Sequence, residues 1–242
     1  EDCGYQKADV VLNSGNRTYY LQVSHTPKSK REITKLHKRG TYPISTHRYQ
    51  GMPYSRTELR ELMNPSDYGK TNWTFEEGGY MKGKLSMDEI SVDDDGDFHR
   101  TIIMQIHGRL TDEQRDLIGE DDNNAPPMLK IYWVNGYVRV KTKVLLDLNA
   151  TYEESLHTSA WGDDSGYTFS EYVGFQPFEL EVIASDGRME VILNNQHSKV
   201  YEDIHIERWG IFENYFKAGN YLVSTDSNAF ARVKYYELEV TH

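Results

Sequence analysis

The chain of 242 residues holds one cysteine, only seven prolines, and no long apolar run. A lone thiol, Cys3, makes no internal disulfide and cannot build a cysteine-based zinc cluster, so neither cross-link holds the fold. Cys3 reads as a free thiol near the start of the chain. No stretch approaches the ~18 continuous apolar residues that a spanning helix requires, which excludes a helical membrane span. Positive charge is also scarce, with 27 Lys+Arg against 38 Asp+Glu and a formal net charge of −11. Nucleic-acid binding rests on a Lys/Arg-rich face, so nucleic acid is excluded as a partner. The one basic cluster (Lys28, Lys30, Arg31, Lys35, Lys38, Arg39) lies between Pro27 and Gly40 and reads as a solvated loop or short helix. No charged-then-apolar leader is visible, and Glu1 is read as the start of a processed or trimmed chain, compatible with export.

Apolar residues make up 38%, and the 18 glycines bring this near the ~45% of a globular domain. Most of the sequence alternates with a period of two. Arg100-Thr-Ile-Ile-Met-Gln-Ile-His107, Met128 to Val134 and Tyr137 to Leu146 read as strands, the last two joined by the hairpin signal Asn135-Gly136. Phe178 to Ile183 and Arg188 to Leu193 form a second pair through Ser185-Asp186-Gly187. Asn194-Asn195 marks a further turn, followed by strands over Gly210 to Tyr221 and Ala231 to Val240. Strands punctuated this often predict an all-β sandwich of two antiparallel sheets in a single domain, residues 1–242. Helix signals are few, chiefly the capping box Thr111-Asp-Glu-Gln114. The acidic segments Asp93 to Asp97, Glu120 to Asn124 and Asp163-Asp164 read as loops, and the first lacks the spacing of a calcium loop. Asn16, Asn72 and Asn149 head Asn-x-Thr triplets, acceptors only in a eukaryotic secretory host.

In a strand, residues i, i+2 and i+4 share a face. Arg56, Glu58 and Arg60 then lie together, as do Gln105 and His107, and so do Tyr215, Lys217, Gly219 and Tyr221. Each group has a plain structural reading. Arg56 to Arg60 can be an ion-pair ladder, or one face of an amphipathic helix with Leu59, Leu62 and Met63. His107 can be a structural strand-end histidine, and Tyr215 and Tyr221 can be packing residues in a chain of 18 tyrosines. Combined, they have the composition of an anion-binding trough with a proton-transfer pair.

The strings Arg56-Thr-Glu-Leu-Arg-Glu61, Gln105-Ile-His107 and Tyr215-Phe-Lys-Ala-Gly-Asn-Tyr221 resemble, in order, the three signature segments of polysaccharide lyase family seven, the alginate lyases. The one departure is Thr57, where many members have serine. The resemblance implies a β-jelly-roll whose concave sheet binds a uronic-acid chain, with Arg56, Gln105, His107 and Tyr221 as the catalytic group. It also implies that Glu58, Arg60, Lys217 and Tyr215 bind sugar or hold the arginines. Members with isoleucine in the middle segment, as at Ile106, accept guluronate-containing blocks. The implied partner is an anionic polysaccharide, the implied state a monomer, and the implied location secreted or periplasmic.

Removing the proton at carbon 5 of a uronate builds charge beside an existing carboxylate. Donors aimed at that carboxylate offset it, each worth ~3–4 kcal/mol as in an oxyanion hole. Arg56 offers a planar two-pronged cation and Gln105 a neutral N–H, so no metal or organic cofactor is needed. His107 can be the base when neutral. Tyr221 suits the acid, and becomes a base only if Arg56 and Lys217 lower its pKa. Proton and leaving group lie on the same side in mannuronate, where Tyr221 can do both jobs, and on opposite sides in guluronate, where His107 is better placed as base. Two rivals remain. A glycoside hydrolase would use paired carboxylates such as Glu179/Glu181 or Glu237/Glu239. A carbohydrate-binding module would bind without forming product.

Overall fold

A computed structural model describes residues 54–242, apart from Pro65 and Tyr68, together with the backbone of four earlier strands. Cys3, the Lys28–Arg39 cluster and Asn16 lie outside the described residues. The early strands are β1 (Gln6–Lys7), β2 (Leu12–Ser14), β3 (Arg17–His25) and β4 (Tyr42–His47). Then come β5 (Ser55–Leu62), β6 (Gly79–Ile90), β7 (Arg100–Arg109), β8 (Asn124–Val134), β9 (Tyr137–Leu145), β10 (Trp161–Asp163) and β11 (Tyr167–Tyr172). The chain closes with β12 (Phe178–Ser185), β13 (Arg188–Leu193), β14 (His197–Tyr201), β15 (Glu213–Val223) and β16 (Phe230–Thr241).

Two antiparallel sheets result. The larger runs β1-β3-β5-β15-β7-β8-β9-β10, with β11 also on β9 and β2 on β3; the smaller runs β14-β13-β12-β6-β16-β4. The two antiparallel sheets are those the alternation predicts, and their jelly-roll arrangement is the one the resemblance implies. Its signature is that β15, near the end of the chain, inserts between β5 and β7. The three segments singled out in the sequence thereby become neighbouring strands.

The alternation explains the layers. Met81, Leu85, Leu180, Val182, Val191 and Leu193 of the small sheet face Met104, Ile106, Ile131, Trp133, Val140 and Phe216 of the large one, all buried. Each such side chain contributes ~1.5–3 kcal/mol of apolar burial. The opposite face of the small sheet carries an ion-pair ladder in which Lys82 meets Glu179 and Glu181, at 3.4 and 3.1 Å. The carboxylate pair Glu179/Glu181 is therefore committed to lysine on the sheet away from the three signature strands. Glu237 and Glu239 lie in register with Lys84 and Lys82 on that same sheet.

The turn readings hold for physical reasons. Asn135 and Gly136 adopt φ of 48° and 84°, and Asn194 and Asn195 of 51° and 54°, left-handed conformations that Asn and Gly tolerate. Thr111 and Gln114 close the capping box of α1 (Asp112–Ile118), which ends at a left-handed Gly119. Two further helices depart from expectation. In α2 (Tyr152–Leu156), Thr151 and Glu154 form the same box in a stretch to which the sequence reading assigns no element. In α3 (Ile204–Trp209), Asp203 caps the first turn, so the strand expected from Gly210 begins only at Glu213. The Ser55–Glu61 segment is strand rather than helix, because its backbone pairs with both β3 and β15.

One buried carboxylate ties this end of the sandwich together. Glu61, 1% exposed, accepts from the Trp73 indole at 3.1 Å, the Phe216 backbone N–H at 2.9 Å and His242 Nε2 at 2.5 Å. His242 Nδ1 meets the carbonyl of Gly78 at 2.9 Å, so both ring nitrogens meet acceptors, an arrangement that favours the imidazolium form. Burial works against that charge, but the hydrogen bond and charge of Glu61 outweigh it and raise the pKa above 6.5. A raised folded-state pKa gives stability that is complete below the unfolded value and is lost as pH rises through the folded one. Urea midpoints of wild type and His242→Gln should therefore differ most near pH 6 and converge toward pH 9. A constant difference across that range would refute the charged pairing.

Candidate active site

Register brings the predicted residues onto one face of the large sheet. On β15, Tyr215 lies opposite His107 and Lys217 opposite Gln105 of β7. Across the other edge of β15, Lys217, Gly219 and Tyr221 lie opposite Arg60, Glu58 and Arg56 of β5. Directly paired residues share a face, so all eight residues meet there. Phe216 and Ala218 point into the core, as alternation requires.

A bulge sets the position of Tyr221. Between Ala218 and Tyr221 the pairing of β15 with β7 slips, while its pairing with β5 continues unbroken. Gly219 makes this possible, with φ of +155°; a Cβ there would sit 2.4 Å from the carbonyl oxygen of Thr57. The bulge is held from inside. Tyr235 reaches from the small sheet to accept from Gly219 N at 3.1 Å and to donate to the carbonyl of Ile103 at 2.5 Å. Buried Asn220 accepts from Thr101 at 2.6 Å and donates to the carbonyl of Ala231 at 2.7 Å.

Beneath the face lies Glu58, 2% exposed. One carboxylate oxygen accepts from Gln105 Nε2 in a very short bond, and the other from Lys217 Nζ at 2.5 Å. Glu58 thus holds the amide and the ammonium rather than either arginine. Gln105 keeps a second N–H for another acceptor. Burial pushes the Lys217 pKa down while Glu58 supports the charged form.

Arg60 is clamped. It donates to the carbonyl of Gly69 and to Asn72 Oδ1, both at 3.1 Å, and its guanidinium lies 4.0 Å from the centre of the Tyr215 ring. The other face of Tyr215 stacks on His107 at 5.1 Å, so cation, phenol and imidazole form one pile. Asn72 also donates to Glu213 at 3.2 Å, and Glu213 accepts from Arg109 at 3.1 Å. The Asn72 amide, read as a possible glycan acceptor, is committed to positioning Arg60. Arg56, by contrast, is exposed, its guanidinium 5.5 Å from the Tyr221 ring, and Tyr54 meets Tyr221 edge-on at 6.0 Å.

His107 Nδ1 meets the carbonyl of Gly108 at 2.9 Å, so Nδ1 bears the proton and Nε2 keeps a lone pair. Burial, then the charges of Lys217, Arg60 and Arg56, lower its pKa to about 3, against a hydrogen bond that favours the cation. His107 is therefore neutral at ordinary pH. Tyr221 goes the other way: burial raises its pKa although Arg56 beside it pulls downward. The condition for a phenolate base is not met, and Tyr221 carries its proton. The arrangement offers a neutral acceptor, a protonated phenol and several cations, as removal of a proton beside an anion requires.

The face continues beyond the motifs. Lys130 on β8 lies opposite Gln105, Lys141 on β9 opposite Lys130, and Arg139 opposite Tyr132. Lys143 pairs with Asp163 of β10 at 2.6 Å. Sequence reasoning passed over these residues, although the placement of Lys130 between Leu129 and Ile131 on a strand was the signal that would have marked it.

A family model described as alginate lyase matches residues 15–242. Among solved structures, alginate lyase A1-II', described as a member of polysaccharide lyase family 7, is 22% identical, with 98% of this chain and 93% of that chain covered at a TM-score of 0.61. An alginate lyase from Pseudomonas aeruginosa is 21% identical, covering 98% of this chain and 87% of that one at 0.55. Alginate lyase AlyC3, solved in complex with dimannuronate, is 13% identical, covering 83% and 73% at 0.53. At these identities the structures speak for the fold. No curated protein matches the sequence.

Removing the Glu58 carboxylate leaves a buried ammonium without its partner, a change that costs ~3–5 kcal/mol. Glu58→Ala should lose that much in chemical denaturation, and Glu58→Ala with Lys217→Met should recover a large part. Equal losses in the single and double variants would show that the pair is not what stabilises these strands.

Proposed function

Starting from the membership of this chain in the alginate lyase family, polysaccharide lyase family seven, we propose that the face built by β5, β15 and β7 cleaves its uronate polymer by β-elimination. Arg56 and the free N–H of Gln105 take the carboxylate of the reacting sugar. Their charge and dipole offset the negative charge that grows as the carbon 5 proton leaves. Arg60, Lys217 and Tyr215 set the potential and shape of the floor, and Glu58 holds Gln105 and Lys217 in register. The electron pair left at carbon 5 forms the double bond to carbon 4 as the bond to the glycosidic oxygen breaks, and a proton returns to that oxygen.

The observation that carries this reading is the opposite protonation of two groups on one face. His107 keeps a lone pair on Nε2, and Tyr221 keeps its proton. In guluronate, where proton and leaving group lie on opposite sides, His107 serves as base and Tyr221 as acid. We extend the reading to guluronate-containing blocks on this ground. A pKa near 3 makes an imidazole a weak base; burial is its largest cause, and of the cations that add to it Arg56 is the one that the bound carboxylate neutralises. Substrate binding removes that part of the depression. The protein acts as a monomeric single domain, secreted or periplasmic, on an anionic polysaccharide. Its −11 overall charge is screened beyond ~8–10 Å in moderate salt, while the cations of this face act at contact.

Ultraviolet absorbance of the conjugated unsaturated end distinguishes elimination from hydrolysis and from binding alone. Tyr221→Phe should reduce kcat ~10²–10⁴-fold on polyguluronate, the usual worth of a positioned acid; near-normal turnover on both polyguluronate and polymannuronate would refute the assignment. The lowered pKa of His107 has a further consequence. The free enzyme keeps this ring neutral well below its ordinary pKa of 6.5, so kcat/KM should stay level from pH 8 down to pH 5. A one-proton acid limb centred near 6.5, abolished in His107→Asn, would contradict it.

A further inference from the structure

Gln105 stands between two lysines of different fate. Lys217 on one side is neutralised by Glu58 at 2.5 Å. Lys130 on the other side is half-buried, and among the described residues its ammonium has no hydrogen bond or ion pair. Burial lowers its pKa, with Lys143, Lys141 and Arg100 adding to the effect and Asp163 opposing it. A partly desolvated cation left without an anion is costly, and a ligand that brings the anion removes the cost. Lys141, next in register on β9, is 4.0 Å from Asp163, whereas Lys143 holds that carboxylate at 2.6 Å. Lys130 and Lys141 are thus the weakly compensated cations of this part of the sheet.

Their placement has a direction. Arg60 on β5, Lys217 on β15, Lys130 on β8 and Lys141 on β9 lie in one register line across strands ~4.8 Å apart, with neutral Gln105 on β7 between the two lysines Lys217 and Lys130. A rod of regularly spaced carboxylates lying across the strands would meet a cation repeatedly. Lys130 lies one strand beyond Gln105, on the side away from Arg56. We propose that Lys130, assisted by Lys141, binds the carboxylate of a uronate unit next to the one being deprotonated, so that the cleft extends over β8 and β9. This rests on the lyase reading above. Lys130 is here a substrate-binding residue and takes no part in moving the proton.

Lys130→Met keeps the apolar stem and removes a buried charge, so its thermal stability should equal or exceed that of wild type. On polymeric alginate its KM should rise on the order of tenfold with kcat within about twofold, the pattern of a lost uniform binding interaction. The effect should shrink toward none on the shortest oligomers that are still cleaved, and Lys130→Arg should restore most of the affinity. An unchanged KM on polymer would overturn the proposal, as would a fall in kcat that persists at every substrate length. If the wild type yields no unsaturated product from any alginate, the lyase reading itself fails. Titration of polyguluronate against both proteins then still tests Lys130, and equal affinity for wild type and Lys130→Met overturns its role.

Discussion

A carboxylate buried among the side chains of the site face, Glu58, is the constraint on which the rest depends. Among the described residues it is the one acidic group in contact with Lys217 and Gln105, and it links three strands. In a medium of low effective dielectric, a lysine at this depth would surrender its proton or pull water in unless an anion met it. With Glu58 present, the ammonium stays charged and the amide is fixed. Gly219 lies directly opposite and offers no side chain to displace the carboxylate. The bulge that Gly219 permits also fixes the position of Tyr221. Neutralisation from below and strand geometry at the side are thus one device.

Above that floor, burial and charge pull in different directions for different groups, and the outcome is a division of labour. His107 loses its charge because desolvation and three cations act together on it. Tyr221 keeps its proton because desolvation outweighs the single nearby arginine. Arg60 is immobilised by Tyr215, Gly69 and Asn72, whereas Arg56 is exposed and remains available to a ligand. An acidic protein can handle a polyanion in this way because the relevant field is local. The compensated carboxylates of the small sheet are on another surface, beyond the reach of unscreened charge.

Much of this was legible in the chain itself. Period-two alternation, Asn-Gly and Asn-Asn turns and one capping box depend on neighbours within a few residues, so strands β7 to β9, β12, β13 and β16 and helix α1 could be read directly. The second capping box, at Thr151 and Glu154, was equally local and was passed over. Alternation sorted the candidate residues onto faces without any knowledge of the fold, and the resemblance of the three strings to a known family supplied the roles proposed for them.

Pairing between distant strands was not legible in that way. Nothing local says that β15 enters between β5 and β7, that Glu61 awaits His242, or that Lys130 falls in register beside Gln105. The first two depend on contacts closed across more than a hundred residues, and the third on the bulges that set the register of β7 against β8. The protonation states were also beyond sequence: residue type sets the reference pKa, but depth and the identity of adjoining charges set the shift. Composition and spacing thus determined which chemical groups exist and which face each one takes. Only the closed sandwich decided which groups meet, because proximity and desolvation come into being when the strands pack.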